Sequence, residues 1–280
     1  MRTRQPESGS RFVQSPHGFD THMIFCDASL AEQIGRPIIA FGGVKSHAVI
    51  ITNVALTHGI AAPIHRVAYN RVMLKPFHIE MTRLALGEQF SPNALEKIVE
   101  ANLYQDRLVG QIGHDEYHFD GNAFEKSYAY VEEQRALTVS SLMADDAPSA
   151  WSAFGRLTHA VQDFYSHSNY VDLWLSCQSD GAIPTPSEID PVDPDLINTP
   201  ALRSGIVYLP LEAFYHFHFL RPLLMRILPR DSHAWMNLDA PQQGPNFVYV
   251  FQAAVKRTRI EFKKIAQGLP ESLLTLFVDR

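Results

Sequence analysis

The amino-acid sequence predicts an all-α protein, a multi-helix bundle with long irregular loops. Apolar residues recur at helical spacing in several segments, and the strict apolar–polar alternation that is typical of strands is nearly absent. The chain has 280 residues, enough to bury a substantial core, and its 46 % hydrophobic and 19 % charged residues give an ordinary globular balance.

The chain divides into a lead-in and one helical domain. Residues 1–40 are polar and punctuated by proline and glycine, so we expect an irregular lead-in there. We assign residues 41–280 to a single helical domain. Within it, residues 176–200 contain five prolines and several acids, and we interpret them as a surface loop or insertion rather than a linker between domains.

Three segments in the first half of the domain carry helix signals. Residues 46–62 begin with a serine that can act as an N-cap and are apolar almost throughout, which favours a helix, although their β-branched residues would also suit a strand. Residues 91–105 are clearer, because a serine cap and a proline at the first helical position precede an apolar stripe. A turn at Asp120 and Gly121 should lead into a third helix over residues 123–142.

Three further segments complete the predicted bundle. Residues 148–175 form the strongest helical pattern of the chain, since no proline interrupts them after the first position. Residues 210–228 and 245–269 follow as predicted helices on either side of a short polar segment.

Charge and cysteine usage narrow the classes of function. The formal net charge of -6 argues against a protein held to nucleic acid or to an anionic membrane by general electrostatics, so we expect no stable nucleic-acid partner. The two cysteines do not form a CxxC pair, which argues against a zinc site built from thiolates.

Neither a signal peptide nor a transmembrane segment is visible in the sequence. The first residues include arginines but no apolar run follows them, and no stretch of about 18 apolar residues is present to span a bilayer. We therefore expect the cytoplasm as the default location, with secretion by a non-classical route left open.

One stripe of polar residues stands out in the strongest predicted helix. His159, Asp163 and His167 lie four residues apart, and four residues advance about 400° around a helix, so the three side chains share one face over two turns. Imidazole nitrogens and carboxylate oxygens are usual ligands of zinc. The alternative is a set of hydrogen-bonded polar residues on a half-buried helix face, and the stripe alone does not decide between the two.

Other segments bring histidine and aspartate to the ends of predicted helices. Each of these residues alone could be structural, because a lone histidine in an apolar segment usually makes a satisfied hydrogen bond in the core. Several helices that each deliver such a residue are the arrangement expected of a multinuclear metal site in a helix bundle. The residues concerned are His47, Asp106, His114, Asp115, His118, Asp120, His233, Asn237 and Asp239.

The sequence RLTHAVQDFYSHSNYV, residues 156–171, resembles the signature of the HET-C family, which is named for fungal heterokaryon incompatibility. HET-C proteins in turn resemble the zinc-dependent phospholipases C and the fungal single-strand nucleases, which are helical proteins with a cluster of zinc ions bound by His and Asp or Glu. Shorter similarities continue in order over residues 44–262. The resemblance implies a helical bundle like that of zinc-dependent phospholipase C.

The resemblance also implies the metal ligands, carried over position by position. Asp106 and Asp163 are the implied catalytic residues, with Asp106 as a metal bridge or as the base toward the attacking water. His47 corresponds to a ligand of a peripheral zinc, so two or three Zn²⁺ ions are implied, the third with His22 or His114 as a further ligand. The full implied ligand set is His47, Asp106, His118, His159, Asp163, His167, His233 and Asp239.

The function that the resemblance implies is a zinc-dependent phosphodiester hydrolase of the phospholipase C kind, in which a metal-activated water attacks a glycerophospholipid. The expected partner is a phospholipid or another phosphodiester substrate. Tyr165, Asn169 and Tyr170 flank the stripe and are expected to bind that substrate, by contact with an acyl region, a choline-like cation or a base. The alternative for the aromatic residues is packing in the core. No serine-hydrolase elbow, Walker loop or dinucleotide fingerprint indicates another chemistry.

A second hypothesis belongs to a different class of function. The chain could be a non-catalytic recognition or cell-death module of the HET-C type, in which the His/Asp cluster holds a structural metal or forms a hydrogen-bond network. An open coordination position distinguishes the two, since catalytic zinc keeps one for water and structural zinc does not. A di-iron carboxylate site is disfavoured, because the chain lacks paired Glu-x-x-His motifs.

Overall fold

The computed structural model describes residues 74–280 apart from Ile112, 179–182, Ala213, Tyr215, His216 and His218. Over this part of the chain the protein is helical, and the extended pairing consists of two isolated bridges. The predicted all-α multi-helix bundle is therefore confirmed. The helices are α1 Leu74–Leu86, α2 Pro92–Tyr104, α3 Leu108–Gln111, α4 Asp115–His118, α5 Phe124–Met143, α6 Ala147–His167, α7 Tyr170–Ser176, α8 Pro194–Ile197, α9 Arg221–Ile227, α10 His233–Met236, α11 Phe247–Ala266 and α12 Glu271–Val278.

Helix α6 is the central element around which the others pack. It begins at Asp146, whose side chain accepts a hydrogen bond from the Ser149 amide, and a proline occupies the first turn. Helices α2, α5 and α11 surround it, so nearly every residue from Ala150 to His167 is buried. A helix that is buried on all sides must satisfy its polar side chains internally, and α6 carries several of them.

One glycine allows α2 to lie close against α6. A Cβ atom on Gly155 would come within 2.4 Å of the Ile98 carbonyl oxygen and 2.7 Å of Ala101 Cβ. Only a residue without a side chain fits such a contact. This close approach brings the end of α2, and the turn that follows it, next to the polar stripe of α6.

Several of the predicted helices are confirmed. Helix α2 begins after Ser91, whose hydroxyl accepts from the Ala94 amide, with proline at its first position as predicted. Helix α5 occupies the segment predicted over residues 123–142, and helix α11 lies within the predicted segment 245–269. The predicted helix over residues 46–62 lies outside the described residues.

The long helix predicted over residues 148–175 is wrong in one respect, because the chain breaks after His167. Ser168 is extended, with φ -111° and ψ 166°, and it pairs with Ser204 in one of the isolated bridges. Its hydroxyl donates to the Phe164 carbonyl at 2.5 Å, and the chain then turns into α7. The bridge to a distant segment ends the helix at a position where no glycine or proline marks it.

The helix predicted over residues 210–228 is wrong over its first half. Among its described residues, helix is present only from Arg221 to Ile227, and the preceding residues form turns. The sequence did not predict helices α1 and α12, nor the one-turn helices α3, α4, α8 and α10. Helix α12 is fixed by Trp151, whose indole N–H donates to the Phe277 carbonyl at 2.7 Å.

The proline-rich segment 176–200 is folded against α11 in its described part. It contains a 3-10 turn at Pro186–Glu188 and helix α8, and Ile189 is fully buried. Lys256 on α11 donates to the carbonyl of Ile189 at 2.6 Å. The segment therefore contributes to the core as well as to the surface.

A second, smaller hydrophobic cluster joins α9 to α10. Leu224 on α9 and Leu228, directly after it, are buried against Ala234 on α10, with Leu220 and Trp235 at the edge. This cluster fixes the position of α10, which begins at His233. No helix within the described part of the chain is long and apolar enough to cross a membrane.

Candidate metal centre

The polar stripe of α6 is buried in the interior of the bundle. His159 is 0 % exposed, Asp163 1 % and His167 5 %, so the face is fully buried rather than half-buried. His159 Nε2 lies 3.0 Å from Asp163 Oδ2, one helical turn away. The three side chains meet residues from other elements, and these residues fall into two groups.

The first group, here called centre 1, consists of His78, Asp106, His118, His159 and Asp163. His78 lies on α1, Asp106 in the turn after α2, and His118 at the end of α4. Their facing atoms are close: His78 Nε2 lies 3.1 Å from Asp163 Oδ1, His118 Nδ1 lies 2.8 Å from Asp163 Oδ2, and His159 Nε2 lies 3.7 Å from Asp106 Oδ1. Two sets of three within the group have ligand atoms that all lie within 4.8 Å of one another.

The second group, here called centre 2, consists of Asp120, His167, His233 and Asp239. His167 Nε2 lies 3.1 Å from Asp239 Oδ1, and His233 Nδ1 lies 2.9 Å from Asp120 Oδ1. Asp163 belongs to this region as well, because one of its oxygens groups with His167 and Asp239 within 4.8 Å. Asp163 therefore connects the two centres.

Backbone contacts at the end of α6 place the residues of centre 2. The Leu238 amide donates to the Ser166 carbonyl at 2.8 Å, which holds Asp239 beside the helix. Gly205 lies between the end of α6 and α10, and its amide donates to the His167 carbonyl at 2.9 Å. A Cβ atom on Gly205 would come within 2.6 Å of His233 Cα. The position of His233 thus requires glycine at residue 205.

Hydrogen bonds fix which ring nitrogen of three histidines faces the carboxylates. His78 Nδ1 lies 2.7 Å from Gln162 Oε1, His118 Nε2 lies 3.2 Å from the Gly110 carbonyl oxygen, and His167 Nδ1 lies 2.9 Å from the His118 carbonyl oxygen. Each of these acceptors takes the N–H of one ring nitrogen. The other nitrogen of each ring then points at Asp163 or Asp239 with its lone pair, as in histidines that bind metals.

Gln162 is the most connected of these supporting residues. Its Oε1 accepts from His78 and from Asn102, and its Nε2 donates to Thr82 at 3.0 Å and Thr258 at 3.2 Å. All of these side chains are buried. The network therefore holds the amide, and through it the His78 ring, in one orientation.

The negative charges of the two centres are unbalanced without protons or cations. Among the described residues, the ion pairs of their four aspartates involve histidines, and no lysine or arginine forms an ion pair with them. The four are Asp106, Asp120, Asp163 and Asp239. Three carboxylate oxygens of the two centres are buried with no hydrogen-bond partner: Asp106 Oδ2, Asp163 Oδ1 and Asp239 Oδ2. A metal ion would give such oxygens a partner, and without one an unpaired buried carboxylate oxygen is costly.

The pKa values show how the protein responds when protons supply the positive charge. Burial lowers the pKa of His78, but the charge of Asp163 outweighs this effect and the pKa rises to about 9. Burial also lowers the pKa of three other histidines, but the neighbouring aspartates outweigh it and the pKa of each is raised. These are His118, His167 and His233. Burial dominates for His159 and lowers its pKa.

The carboxyl groups respond in the opposite sense. Burial alone would raise the pKa of Asp163 and of Asp120, yet the surrounding histidines hold both well below the ordinary value. Both groups are therefore ionised at neutral pH. A divalent cation in either centre would replace the protons on the histidines, since ligating imidazole must be neutral.

The predicted ligands are brought together with one exception. Asp106, His118, His159 and Asp163 form most of centre 1, while His167, His233 and Asp239 form most of centre 2; His47 lies outside the described residues. One member of centre 1 was missed. His78 lies on α1, which the sequence did not predict, although its place beside the buried Met81 and Ala85 on an apolar stripe could have revealed it. Asp120 of centre 2 was among the candidates in the sequence but was not part of the implied ligand set.

Two of the other candidates lie outside both centres. His114 is paired with Glu116 at 3.0 Å and stacks on Tyr117, and Asp115 is exposed. Asn237 has a supporting position, with its Nδ2 3.0 Å from His233 Nε2.

The residues expected to bind substrate make structural contacts. Tyr165 and Tyr170 are fully buried, and their hydroxyls donate to the carbonyls of Pro191 at 2.5 Å and Asp190 at 2.6 Å. These contacts favour the alternative of core packing for both rings, and their role in substrate binding stays a prediction. Asn169 lines a surface cavity of about 220 Å³ together with Ser168, which follows His167, and Leu238, which precedes Asp239.

Comparison with known proteins corrects the family that the sequence motif indicated. Residues 77–187 match the family model described as the VWA7 N-terminal domain. The von Willebrand factor A domain-containing protein 7 of Homo sapiens is 36 % identical over 80 residues, and that of Rattus norvegicus is 34 % identical over 80 residues. The aligned residues make up 29 % of this chain and 9 % of each of those proteins. No solved structure gives a significant match.

The identification as a HET-C protein is therefore wrong. The segment that carried it, residues 156–171, lies inside the match to the VWA7 N-terminal domain. Residues four apart share one face of any helix, so a His/Asp stripe with this spacing can occur in families that are not related. The matched range contains all of centre 1 together with Asp120 and His167, but not His233 or Asp239.

Proposed function

We propose that this domain binds two divalent metal ions, with zinc as the best-suited metal, and hydrolyses a phosphodiester. The orientation of the histidine rings carries the proposal. Three buried rings give the N–H of one nitrogen to a neutral acceptor and point the other nitrogen at carboxylates that have no other cation beside them. This is the arrangement of histidines that bind metals, in which a hydrogen bond fixes one ring nitrogen and the other nitrogen is the ligand. Without a metal ion, the same rings would have to be protonated to pair with the aspartates.

The types of ligand favour zinc. Both centres consist of imidazole nitrogens and carboxylate oxygens, which zinc binds at about 2.0–2.2 Å. The four aspartates carry a charge that two divalent ions would balance, with every histidine neutral. His118 Nδ1 and His159 Nε2 lie 3.1 Å apart and face each other, so a cation or a proton is needed to prevent repulsion between their lone pairs.

The two centres differ in their access to solvent. Every side chain of centre 1 is at most 8 % exposed, whereas the His233 side chain of centre 2 is 23 % exposed. The cavity lined by Ser168, Asn169 and Leu238 lies beside residues that adjoin His167 and Asp239. Centre 2 is therefore the place where a substrate would arrive, and centre 1 would hold its ion in the interior.

A pair of zinc ions supplies an activated water at neutral pH and neutralises the oxygens of a phosphodiester. Asp163, which groups with both centres, would hold them at a fixed separation. Asp106, with Oδ2 free of hydrogen bonds, would bind an ion or accept a proton from the attacking water. No side-chain nucleophile is needed for this reaction.

A glycerophospholipid is the substrate class that we propose. Single-stranded nucleic acid is disfavoured by the net charge of -6. A soluble phosphodiester such as bis(p-nitrophenyl) phosphate provides a test of the chemistry that does not depend on the lipid.

The test begins with metal content. Protein purified without chelator or affinity metal should contain about two zinc ions per chain and should hydrolyse bis(p-nitrophenyl) phosphate. The His167→Ala variant should lose the ion of centre 2 and the hydrolysis with it, while His114→Ala, a histidine outside both centres, should keep both. A wild-type protein without metal, or a His167→Ala variant with full activity, would refute the proposal.

A non-catalytic domain with structural metal is the second candidate, favoured by the burial of centre 1. Cobalt can replace zinc and reports its coordination by visible absorption. A change in the spectrum of the cobalt-substituted protein on addition of inorganic phosphate would show an open position at centre 2 and support the hydrolase. An unchanged spectrum, together with no hydrolysis of any phosphodiester, would favour the structural candidate.

A further inference from the structure

Seven of the fourteen exposed large apolar side chains of the described residues lie between Leu209 and Ile227, in the segment that precedes His233 of centre 2. Phe219 is 78 % exposed, Leu209 61 % and Leu223 58 %, and the rings of Phe214, Phe217 and Phe219 are neighbours. A concentration of exposed apolar side chains marks an interaction site on a soluble protein. We call it the apolar patch; it comprises Leu209, Leu211, Phe214, Phe217, Phe219, Leu223 and Ile227.

Helix α9 carries part of the apolar patch on its outer side and packs on α10, which holds His233 of centre 2, on its inner side. Leu224 and Leu228 face inward and pack on Ala234 of α10, while Leu223 and Ile227 face outward. Residues three and four apart share a helix face, so the two sets lie on different sides of α9. Because a helix is about 10 Å thick, the outer face of α9 lies on the order of 10 Å from the helix that begins with His233.

Two exposed arginines border the apolar patch, in contrast to the negative charge of the chain as a whole. They are Arg226 and Arg230, and Arg230 lies 3.7 Å from the ring centroid of Trp235. Of the adjoining acids, Glu212 is buried, and Asp231 accepts from the Tyr208 hydroxyl at 3.1 Å. Exposed phenylalanine and leucine bordered by arginine are the composition of a surface that binds at the boundary of an anionic bilayer.

We propose that the apolar patch binds the surface of an anionic phospholipid bilayer and brings centre 2 to the lipid headgroups. The inference rests on the proposed function, because the bilayer then supplies the phosphodiester. In this proposal the phenylalanine and leucine side chains insert below the headgroups, and Arg226 and Arg230 contact the anionic phosphates above them. The local positive charge acts within a Debye length and does not depend on the net charge of -6.

Co-sedimentation with vesicles tests the binding without any catalytic step. The full chain should sediment with vesicles of phosphatidylcholine that contain phosphatidylserine, and less with phosphatidylcholine alone. The double variant Phe219→Ser/Leu223→Ser should bind at least tenfold more weakly. The matched control, Leu84→Ser/Met143→Ser, removes two exposed apolar residues elsewhere and should bind as the wild type does. Arg226→Gln should weaken binding to the anionic vesicles alone.

The failure of this inference differs from the failure of the proposed function. Vesicle binding that depends on the apolar patch, with no hydrolysis of any phosphodiester, would support the membrane-binding surface and refute the proposed hydrolase. Hydrolysis of bis(p-nitrophenyl) phosphate without vesicle binding, or equal binding by the two double variants, would overturn the membrane surface. If the hydrolase and the membrane-binding patch are both correct, the Phe219→Ser/Leu223→Ser variant should still hydrolyse the soluble substrate but should lose hydrolysis of lipid in vesicles.

Discussion

Asp163 and His159 face each other across one turn of the buried helix α6, with Asp163 Oδ2 3.0 Å from His159 Nε2. The same carboxylate lies 2.8 Å from His118 and 3.1 Å from His78, so one side chain gathers three histidines from three helices. Such a carboxylate is either the centre of a protonated network or a ligand shared by metal ions. Metal content, metal affinity and the pH dependence of stability distinguish these two cases.

Replacement of Asp163 by asparagine should remove metal from both centres. The amide keeps the volume of the side chain but loses its negative charge, and Asp163 groups with the histidines of both centres. We expect zinc to fall from about two ions per chain to less than one, by elemental analysis. Asp195→Asn, at an exposed aspartate, is the control and should leave zinc unchanged. Full zinc content in Asp163→Asn would exclude it as a ligand.

Replacement of Gln162 by leucine should weaken metal binding at centre 1, although Gln162 is not itself one of the proposed metal ligands. The variant removes the acceptor of the His78 N–H and leaves Thr82 and Thr258 without their partner. Loss of such a supporting residue typically costs about 10–100-fold in metal affinity. Competition with a chromophoric chelator measures the affinity, and a purely structural role would lower the unfolding midpoint but leave the affinity of the folded protein unchanged. Gln162→Glu, which restores an acceptor, should recover part of the loss.

The stability of the metal-free protein should fall as the pH rises from about 6.5 to about 9. The pKa of His78 is raised to about 9 in the fold, and a group with a raised pKa stabilises the fold only while it is protonated. His118, His167 and His233 are shifted in the same direction. Thermal unfolding after chelation should show a Tm that decreases across this interval.

The zinc-loaded protein should lack this decrease, because its ligands carry no protons to lose. Its stability should instead fall on the acid side, where protons compete with zinc for the histidines. A metal-free Tm that rises between pH 6.5 and 9 would contradict the pairing of the histidines with Asp163 and Asp120.

Replacement of Gly205 by alanine should displace His233 and disturb centre 2 alone. The added Cβ would lie 2.6 Å from His233 Cα, closer than atoms can pack, so one of the two segments must move. We expect a loss of stability of about 1–3 kcal/mol and loss of the ion at centre 2. Gly268→Ala is a suitable control, since its Cβ would meet only the Ile265 carbonyl oxygen at 3.6 Å. Urea unfolding and elemental analysis measure the two effects.

Local signals in the sequence were sufficient for the helices that carry them. Ser91 and the proline after it mark the start of α2, and the spacing of His159, Asp163 and His167 places them on one buried face of α6. The break at Ser168 could not be foreseen, because it depends on a bridge to Ser204, more than 30 residues away in the chain. Long-range contacts of this kind leave no periodic pattern.

The candidate site shows the same division between local and long-range information. The sequence placed most ligands, yet it missed His78, because a lone histidine in an apolar stripe is usually a core residue. What distinguishes His78 is its partner Asp163, 85 residues later in the chain, and only the fold brings the two within 3.1 Å. The family was misjudged from a motif of 16 residues. The four-residue spacing in that motif places side chains on one helix face, which is not specific to a family.

The ligands of centre 1 come from α1, the turn after α2, α4 and α6, and so exist as a set only in the folded chain. If zinc binds there, the folded fraction of the protein follows the concentration of free zinc. A hundredfold excess over the dissociation constant adds about 2.7 kcal/mol at one site. The protein would then accumulate in zinc-replete cells and be lost to proteolysis during zinc starvation.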